Sequence, residues 1–383
     1  MKKYDVIIIG AGASGLMAAS AALKTGKSIA ILESGDKPAR KVLASGGGRC
    51  NFTNAAVSVK RYFGNNVDFV RSAIAKVPFT DILNWAQDHD ISWEEKTEGQ
   101  YFCATGAASV VDALLFDVKN ADIYLSTTVV NILKINDAFK ILTNGEEFLS
   151  KSVIVATGGV SFPALGVSDI GYKIAKQFGH RIIPIRPALC AISTNYFPSC
   201  LSGISIKVQI SLNKESIEDF MLFTHFGLGG PAIYRATVRD FNDIIINMTP
   251  NVNLYEIFKG AKTKNGKKSA YGILSEFLPN RLAKWICPET KNIADYKDKE
   301  LLELSNRVTK VTISNRDIKL HGLQSAEVVR GGIDTTKISS KTMESQLCPR
   351  LFFTGEVLDI AGDLGGFNLH WAWASGKIAG ENA

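Results

Sequence analysis

The stretch YDVIIIGAGASGLMAAS, residues 4–20, followed by SIAILE at residues 28–33, decides the fold. Tyr4 to Gly10 is apolar and β-rich, which predicts a buried parallel strand. An Ala-rich amphipathic stretch runs to Lys24, and Gly26 precedes a second apolar strand. The pattern is a βαβ unit with a glycine turn in its first connection. Gly10 suits the tight turn, Gly12 close backbone approach to a pyrophosphate, and Gly15 close packing of helix on strand. The helix start adds free N–H groups and a positive dipole end. Glu33 follows the glycines by roughly 20 residues, where an acid binds a ribose hydroxyl pair. Three glycines alone are weak evidence; with strand, helix and acid they point to a dinucleotide.

Working outward, 383 residues exceed one compact core and predict two or three domains. A hydrophobic share of 46% and a charged share of 21% describe an ordinary soluble globular chain. The net charge of +7 permits anionic partners without arguing for them. Cys50, Cys103, Cys190, Cys200, Cys287 and Cys348 are widely spread with no CxxC pair, so reduced thiols are expected and a metal site is not. The first lysines run straight into a strand, no signal peptide is expected, and no apolar run is long enough for a bilayer. A cytoplasmic protein with no membrane partner is the expectation.

Lys37–Asn54, KPARKVLASGGGRCNFTN, is basic and glycine-rich and reads as a long loop over the nucleotide site. Val67–His89 reads as helix, Thr127–Leu133 and Ala138–Leu142 as a small meander, and Lys151–Ala156 as a third buried strand ending in Thr157-Gly158-Gly159. After Pro184 and Pro187 the text turns β-rich, then helical between Leu254 and Leu304, then strand-like again. Arg350–Ala383 repeats the strand, glycine loop, helix order of the first unit. The fold class is therefore α/β: a Rossmann-type domain built from both chain ends, interrupted by an insertion near residues 188–329.

Three further stretches carry chemistry. In Ser45-Gly46-Gly47-Gly48-Arg49-Cys50-Asn51, consecutive glycines let backbone lie against a flat ligand, and Arg49 can stabilise negative charge. The run TGEVLDIAGDLGGFNLHWAWASGKIAG leads through Gly355-Glu356, Gly362, Gly365 and Gly366 to a second helix start near Asn368. Asp359 and Asp363 are either ligands or turn formers, whereas Trp371 and Trp373 read as core. His225 and His370 are candidates for an acid or base near neutral pH, with a structural or solvated role the stronger alternative for each. Cys50, beside Arg49, is a candidate for a lowered thiol pKa, though no resolving thiol is near in sequence. KGAKTKNGKK, residues 259–268, is a solvated lysine loop or, less simply, a polyanion contact. The identity of a catalytic residue stays open.

GAGASGLMAA, RKVLASGGGRCNFTN, ATGGVSFP, FTHFGLGGPAI and LFFTGEVLDIAGDLGGFNLHWAWASG, in this order over nearly the full length, resemble the bacterial HI0933-like (BaiN-like) flavoprotein family of NAD(P)/FAD-dependent oxidoreductases. The resemblance implies FAD on a Rossmann-type domain of residues 1–187 plus 330–383. It also implies an inserted β-barrel-like domain of 188–253 plus 305–329 and a helical subdomain of 254–304. By position, Gly10, Gly12, Ala13, Ser14 and Gly15 would serve the pyrophosphate, Glu33 the adenosine ribose, and Arg40 and Lys41 the adenosine or phosphate end. Val129 would meet the adenine through its backbone, and Thr157 and Gly158 would line the cofactor. Gly47, Gly48, Arg49, Cys50 and Asn51 would lie beside the flavin; Gly355, Glu356, Gly365, Gly366, Phe367 and Asn368 would close on the ribityl chain and ring. His370 falls where relatives vary, often to Gln, so the resemblance gives it no catalytic role.

The expected function is hydride exchange between flavin N5 and a small organic substrate, with NAD(P)H as transient donor or oxygen as acceptor. Family members resembling aminoacetone oxidases, and distant flavoproteins that modify tRNA, supply the alternatives: an amine oxidase or a flavin-binding RNA-associated protein. The basic patch has no interleaved aromatics, so a small-molecule substrate rather than nucleic acid is the leading expectation.

Overall fold

The computed structural model describes every residue of the chain except Thr97, Glu98 and Lys214. Two compact units emerge, Met1–Pro187 with Ala326–Ala383, and Ala188–Ser325.

In the first unit, β1 (Lys2–Ile9) is sandwiched in parallel between β2 (Ile29–Leu32) and the strand Glu147–Val155. Val6 to Ile9 are buried on both faces, as the unbroken apolar run requires. Asp122–Tyr124 extends the sheet beyond β2. Leu351–Phe353 pairs in parallel with Val153–Val155, so strands from both chain ends share one sheet. The meander Val129–Ile135 and Ala138–Thr143 pairs with the other half of Glu147–Val155, antiparallel. Helix α1 (Ala13–Leu23) packs on the C-terminal helix Phe367–Asn382 at backbone contact. A Cβ on Gly376 would stand 2.4 Å from the Ser14 carbonyl oxygen, and one on Gly380 2.1 Å from that of Ala18.

The stretch Lys37–Asn54 departs from the loop expected of it. It forms α2 (Arg40–Ala44), a tight turn over Ser45–Gly48 and β3 (Asn51–Asn54). The glycines are confined to the turn, RKVLA holds good helix formers, and β3 pairs with Gln100–Cys103, far along the chain.

In the second unit, seven strands pair antiparallel in the order Val311–Ser314, Asp243–Asn247, Ser205–Leu212, Glu215–Phe223, Gly227–Gly229, Ile192–Ser193, Lys319–Leu320. Helices Leu254–Lys264, Ala270–Leu274, Asn280–Ile286 and Asp298–Thr309 share one apolar cluster with that sheet, in which Phe258, Leu282 and Leu301 join Val208, Ile210 and Met221. No helix among the described residues is long and apolar enough to cross a membrane.

Candidate cofactor site

The glycines of the first turn do two different jobs. A Cβ on Gly10, at φ +102°, would lie 2.6 Å from the Ala156 carbonyl oxygen, and one on Gly15 would lie 1.9 Å from that of Gly10. Both positions are closed by the protein itself. At Gly12 a Cβ would meet nothing within 4 Å. Gly12 is also the N-cap of α1, which has neither a capping side chain nor an acid in its first turn. Gly12 thus leaves room beside a helix start whose first N–H groups have no side-chain cap, which suits an anion. Glu33, just past β2, accepts from Ala11 N at 2.8 Å and from Gly35 N at 2.7 Å, so its carboxylate is fixed beside the glycine turn.

The residues of α2 are drawn into ion pairs. The Arg40 guanidinium donates to Asp36 at 2.6 Å, and Lys41 Nζ donates to Ser161 Oγ and to Glu356, each at 2.8 Å. Glu356 also accepts from Val329 N at 3.1 Å and Gly159 N at 3.3 Å. It is a hub tying α2, the ATGG turn and the C-terminal run together, a role its expected place at the ribityl chain did not foretell. Ser161, fully buried at this hub, was missed as well; only its place in the quoted ATGGVSFP hinted at it.

Past α2, Gly47 (φ +65°) and Gly48 are exposed, and neither would meet an atom within 4 Å on gaining a Cβ. Arg49 is half-exposed, 3.8 Å from Glu94 and over the Phe102 ring. Cys50 is fully buried, and burial pushes its thiol up to about 12 against the pull of a Ser45 hydrogen bond. The lowered thiol that its position beside Arg49 suggested is corrected: the side chain points into the core, away from the cation. The Asn51 amide lies against Gln100 and the Gly366 backbone, and Asn54 Nδ2 donates to Gly365 O at 2.8 Å. A Cβ on Gly366 would sit 2.6 Å from Thr53 O, so β3 and the closing loop meet backbone to backbone.

In the closing run, a Cβ on Gly355 would strike Ser14 Oγ at 2.5 Å, locking the run to α1. Asn368 exchanges hydrogen bonds with Gly362, accepting at 2.7 Å and donating at 3.0 Å, and so shapes the loop ahead of its helix. Phe367 is buried edge-on to Tyr62. The helix start at Gly366 has no side-chain cap and no acid in its first turn. Val129 opens the meander, buried and paired with Thr143. Gly158 again fronts open space, while Thr157 Oγ1 and Tyr172 OH are buried without a hydrogen-bond partner among the described residues.

These features fit FAD. Two uncapped helix starts offer N–H groups, four glycine positions leave room for a ligand, and two buried hydroxyls lack partners. Trp371 and Trp373 are core residues whose indole N–H groups donate to Gly355 O and Phe52 O. Asp363, fully buried, pairs with Arg61 at 3.3 Å, and Asp359 accepts from Asn65 N at 2.9 Å; both act as loop anchors. His370 is fully buried, its Nδ1 joined to Thr53 Oγ1 at 2.9 Å, and burial pushes it down to about 4. A ring that stays neutral and out of solvent is no acid or base at neutral pH, in keeping with the structural role that is the stronger alternative from the sequence. His225 belongs to the second unit, exposed in the turn before Gly227–Gly229.

A family model described as HI0933-like protein Rossmann domain matches residues 4–382. The ribosomal RNA dihydrouridine synthase of Escherichia coli (strain K12) is 35% identical over 98% of this chain and 96% of its own length. The 3-dehydro-bile acid delta(4,6)-reductase of Clostridium scindens is 28% identical, covering 98% of both chains. Among solved structures, the open conformation of a flavocytochrome c3 fumarate reductase superposes with a TM-score of 0.51 at 15% identity, over 100% of this chain and 78% of that one. That likeness is one of fold, in keeping with the Rossmann-type domain of the family model.

Proposed function

We propose, from the premise that this chain belongs to the HI0933-like family, that it is an FAD-dependent reductase of carbon–carbon double bonds conjugated to a carbonyl, with a uracil ring of RNA as substrate. The observation that carries this reading is a pair of full-length relatives whose names describe one chemistry on different molecules. Dihydrouridine is uridine saturated beside its C4 carbonyl, and a Δ4,6 reductase saturates a ring dienone. In both cases a hydride adds to an electrophilic carbon conjugated with the carbonyl, the β carbon of the uracil ring and the β or δ carbon of the dienone, and a proton completes the saturated bond. The higher identity to the RNA enzyme supports RNA, the alternative from the sequence, over a small organic substrate.

When bound, FAD supplies the hydride, replenished by an external donor such as NAD(P)H. Gly12, Ala13 and Ser14 would hold its pyrophosphate and Glu33 its adenosine ribose. Gly47, Gly48, Gly365 and Gly366 would hold the flavin end. The Lys41–Glu356–Ser161 hub keeps α2, the ATGG turn and the closing run in register, so these contacts are set before a ligand arrives. Neither Cys50 nor His370 is available as proton donor, since both are fully buried.

The test is anaerobic incubation of the flavin-loaded protein with NADH or NADPH and ribosomal RNA from cells lacking this gene. Flavin bleaching followed by reoxidation on adding RNA, with a gain of about 2 Da in one uridine nucleoside, is expected. Reoxidation by a cyclic enone but by no RNA would replace uracil with the small-molecule reading that the bile-acid reductase relation supports.

A further inference from the structure

FTHFGLGGPAI lies in the second unit, where its folding brings together groups not used in the cofactor site described above. Glu215–Phe223 and Gly227–Gly229 form a tight hairpin whose loop is Thr224-His225-Phe226. Thr224 N donates to Gly227 O at 2.9 Å, and Thr194 N donates to Phe226 O at 3.1 Å, clamping the loop onto Ile192–Ser193. A Cβ on Gly227 would lie 2.2 Å from Ile192 O, so only glycine admits this contact. Lys319–Leu320 pairs with the other edge of Ile192–Ser193, and His321 N donates to Ala191 O. Two segments nearly a hundred residues apart are thus fixed side by side.

The outcome is a parallel stack of Phe226 and His321, ring centres 4.3 Å apart and planes 11° apart, with His225 edge-on to Phe226 at 4.8 Å. His225 is exposed and the stacked pair half-buried. Several polar groups around the stack have no partner among the described residues. Ser325 Oγ engages His321 Nδ1 at 2.8 Å, while His321 Nε2 and both ring nitrogens of His225 make no hydrogen bond among the described residues. The Thr224 hydroxyl oxygen is buried and also has no partner among the described residues. Mere packing of a hairpin needs no such array, because a buried hydroxyl without a partner destabilises the fold. A flat ring with carbonyl and N–H groups on its edge would complete it.

We propose that the Phe226–His321 stack is a platform for a pyrimidine ring, with His225, His321 Nε2 and Thr224 Oγ1 reading the ring's polar edge. This rests on the RNA reading above. The charge of the unit agrees with a polyanion, since Ala188–Ser325 carries 18 Lys and Arg against 13 Asp and Glu.

The experiment compares two probes on the FAD-loaded protein at fixed salt: an oligouridylate, and an abasic oligomer of the same length and charge. Phe226→Leu keeps apolar volume but removes the ring, and is expected to weaken oligouridylate binding about tenfold. Abasic binding should stay within about twofold, flavin content and melting temperature should be unchanged, and Phe226→Trp should restore affinity. His225→Ala, at an exposed position, should lower oligouridylate affinity several-fold even if Phe226→Leu folds poorly. The platform is overturned if both variants bind oligouridylate like wild type, or if abasic binding falls in parallel. Should this pattern hold while no RNA is reduced, the reductase reading fails alone and the platform stands.

Discussion

Replacing Gly12 and Gly15 by valine, one at a time, separates cofactor space from protein packing within one motif. Gly12 sits at φ −83° and ψ −171°, a region open to any residue, and its Cβ would meet nothing within 4 Å. The cost to the apoprotein is the N-cap preference for Gly over Val, about 1 kcal/mol. For a unit of this size that lowers the melting temperature by about 2–4 °C. The added isopropyl group occupies the space a pyrophosphate needs, so FAD affinity should drop by about a hundredfold or more. At Gly15 the Cβ would stand 1.9 Å from the Gly10 carbonyl oxygen, a backbone atom that no side-chain rotation can move. Relief requires shifting α1 off β1 and its contact with the C-terminal helix, at a cost of about 3 kcal/mol or more. The assays are thermal unfolding of FAD-stripped protein and titration of the apoprotein with FAD. A Gly12→Val protein that takes up stoichiometric FAD at wild-type affinity, or a Gly15→Val apoprotein as stable as wild type, would refute the division.

His370, pushed down to about 4 by burial, stays neutral in the fold and regains an ordinary pKa near 6.5 on unfolding. Its contribution is complete above pH 6.5 and is lost as pH falls toward 4, by about 3 kcal/mol. Urea titrations of His370→Gln at pH 7.5 and 4.5 should show an acid loss smaller by about that amount, and equal losses would sink the claim. Lys41→Met leaves Glu356 partly buried with two backbone donors and a long Ser161 hydroxyl contact at 3.5 Å in place of a cation, and should cost about 1–3 kcal/mol while lowering FAD retention; unaltered stability would show that the hub is ornamental. Of the six cysteines only Cys200 is exposed, and the Cys50 thiol is pushed up to about 12. Native protein at pH 8 should therefore release one equivalent from a thiol reagent, and Cys200→Ser close to none; fast reaction at Cys50 would contradict its burial.

The parts of the fold readable from sequence are those whose determinants are local. β1, its glycine turn and α1 lie within 22 residues, and the run from Leu351 through the C-terminal helix repeats the same logic. Lys37–Asn54 escaped because β3 exists only through its pairing with Gln100–Cys103, a partner outside any local window. The Lys41–Glu356 pair escaped for the same reason, its members being 315 residues apart.

Residue type alone also cannot say which job a residue does. Gly12, Gly47, Gly48 and Gly158 front open space, whereas Gly10, Gly15, Gly355 and Gly366 are filled by the protein's own backbone or by Ser14. A glycine motif records only that a side chain is forbidden; whether a ligand or the chain forbids it depends on what the fold brings opposite. The same holds for the histidines. His370 sits inside a cofactor-like motif and is sealed in the core, while the ring nitrogens of His225, in a turn with no such motif, have no hydrogen-bond partner among the described residues beside the Phe226–His321 stack. Burial, invisible in the sequence, reverses the ranking that proximity to the glycine motif suggests, and the polar groups still without partners are where a ligand has something to bind.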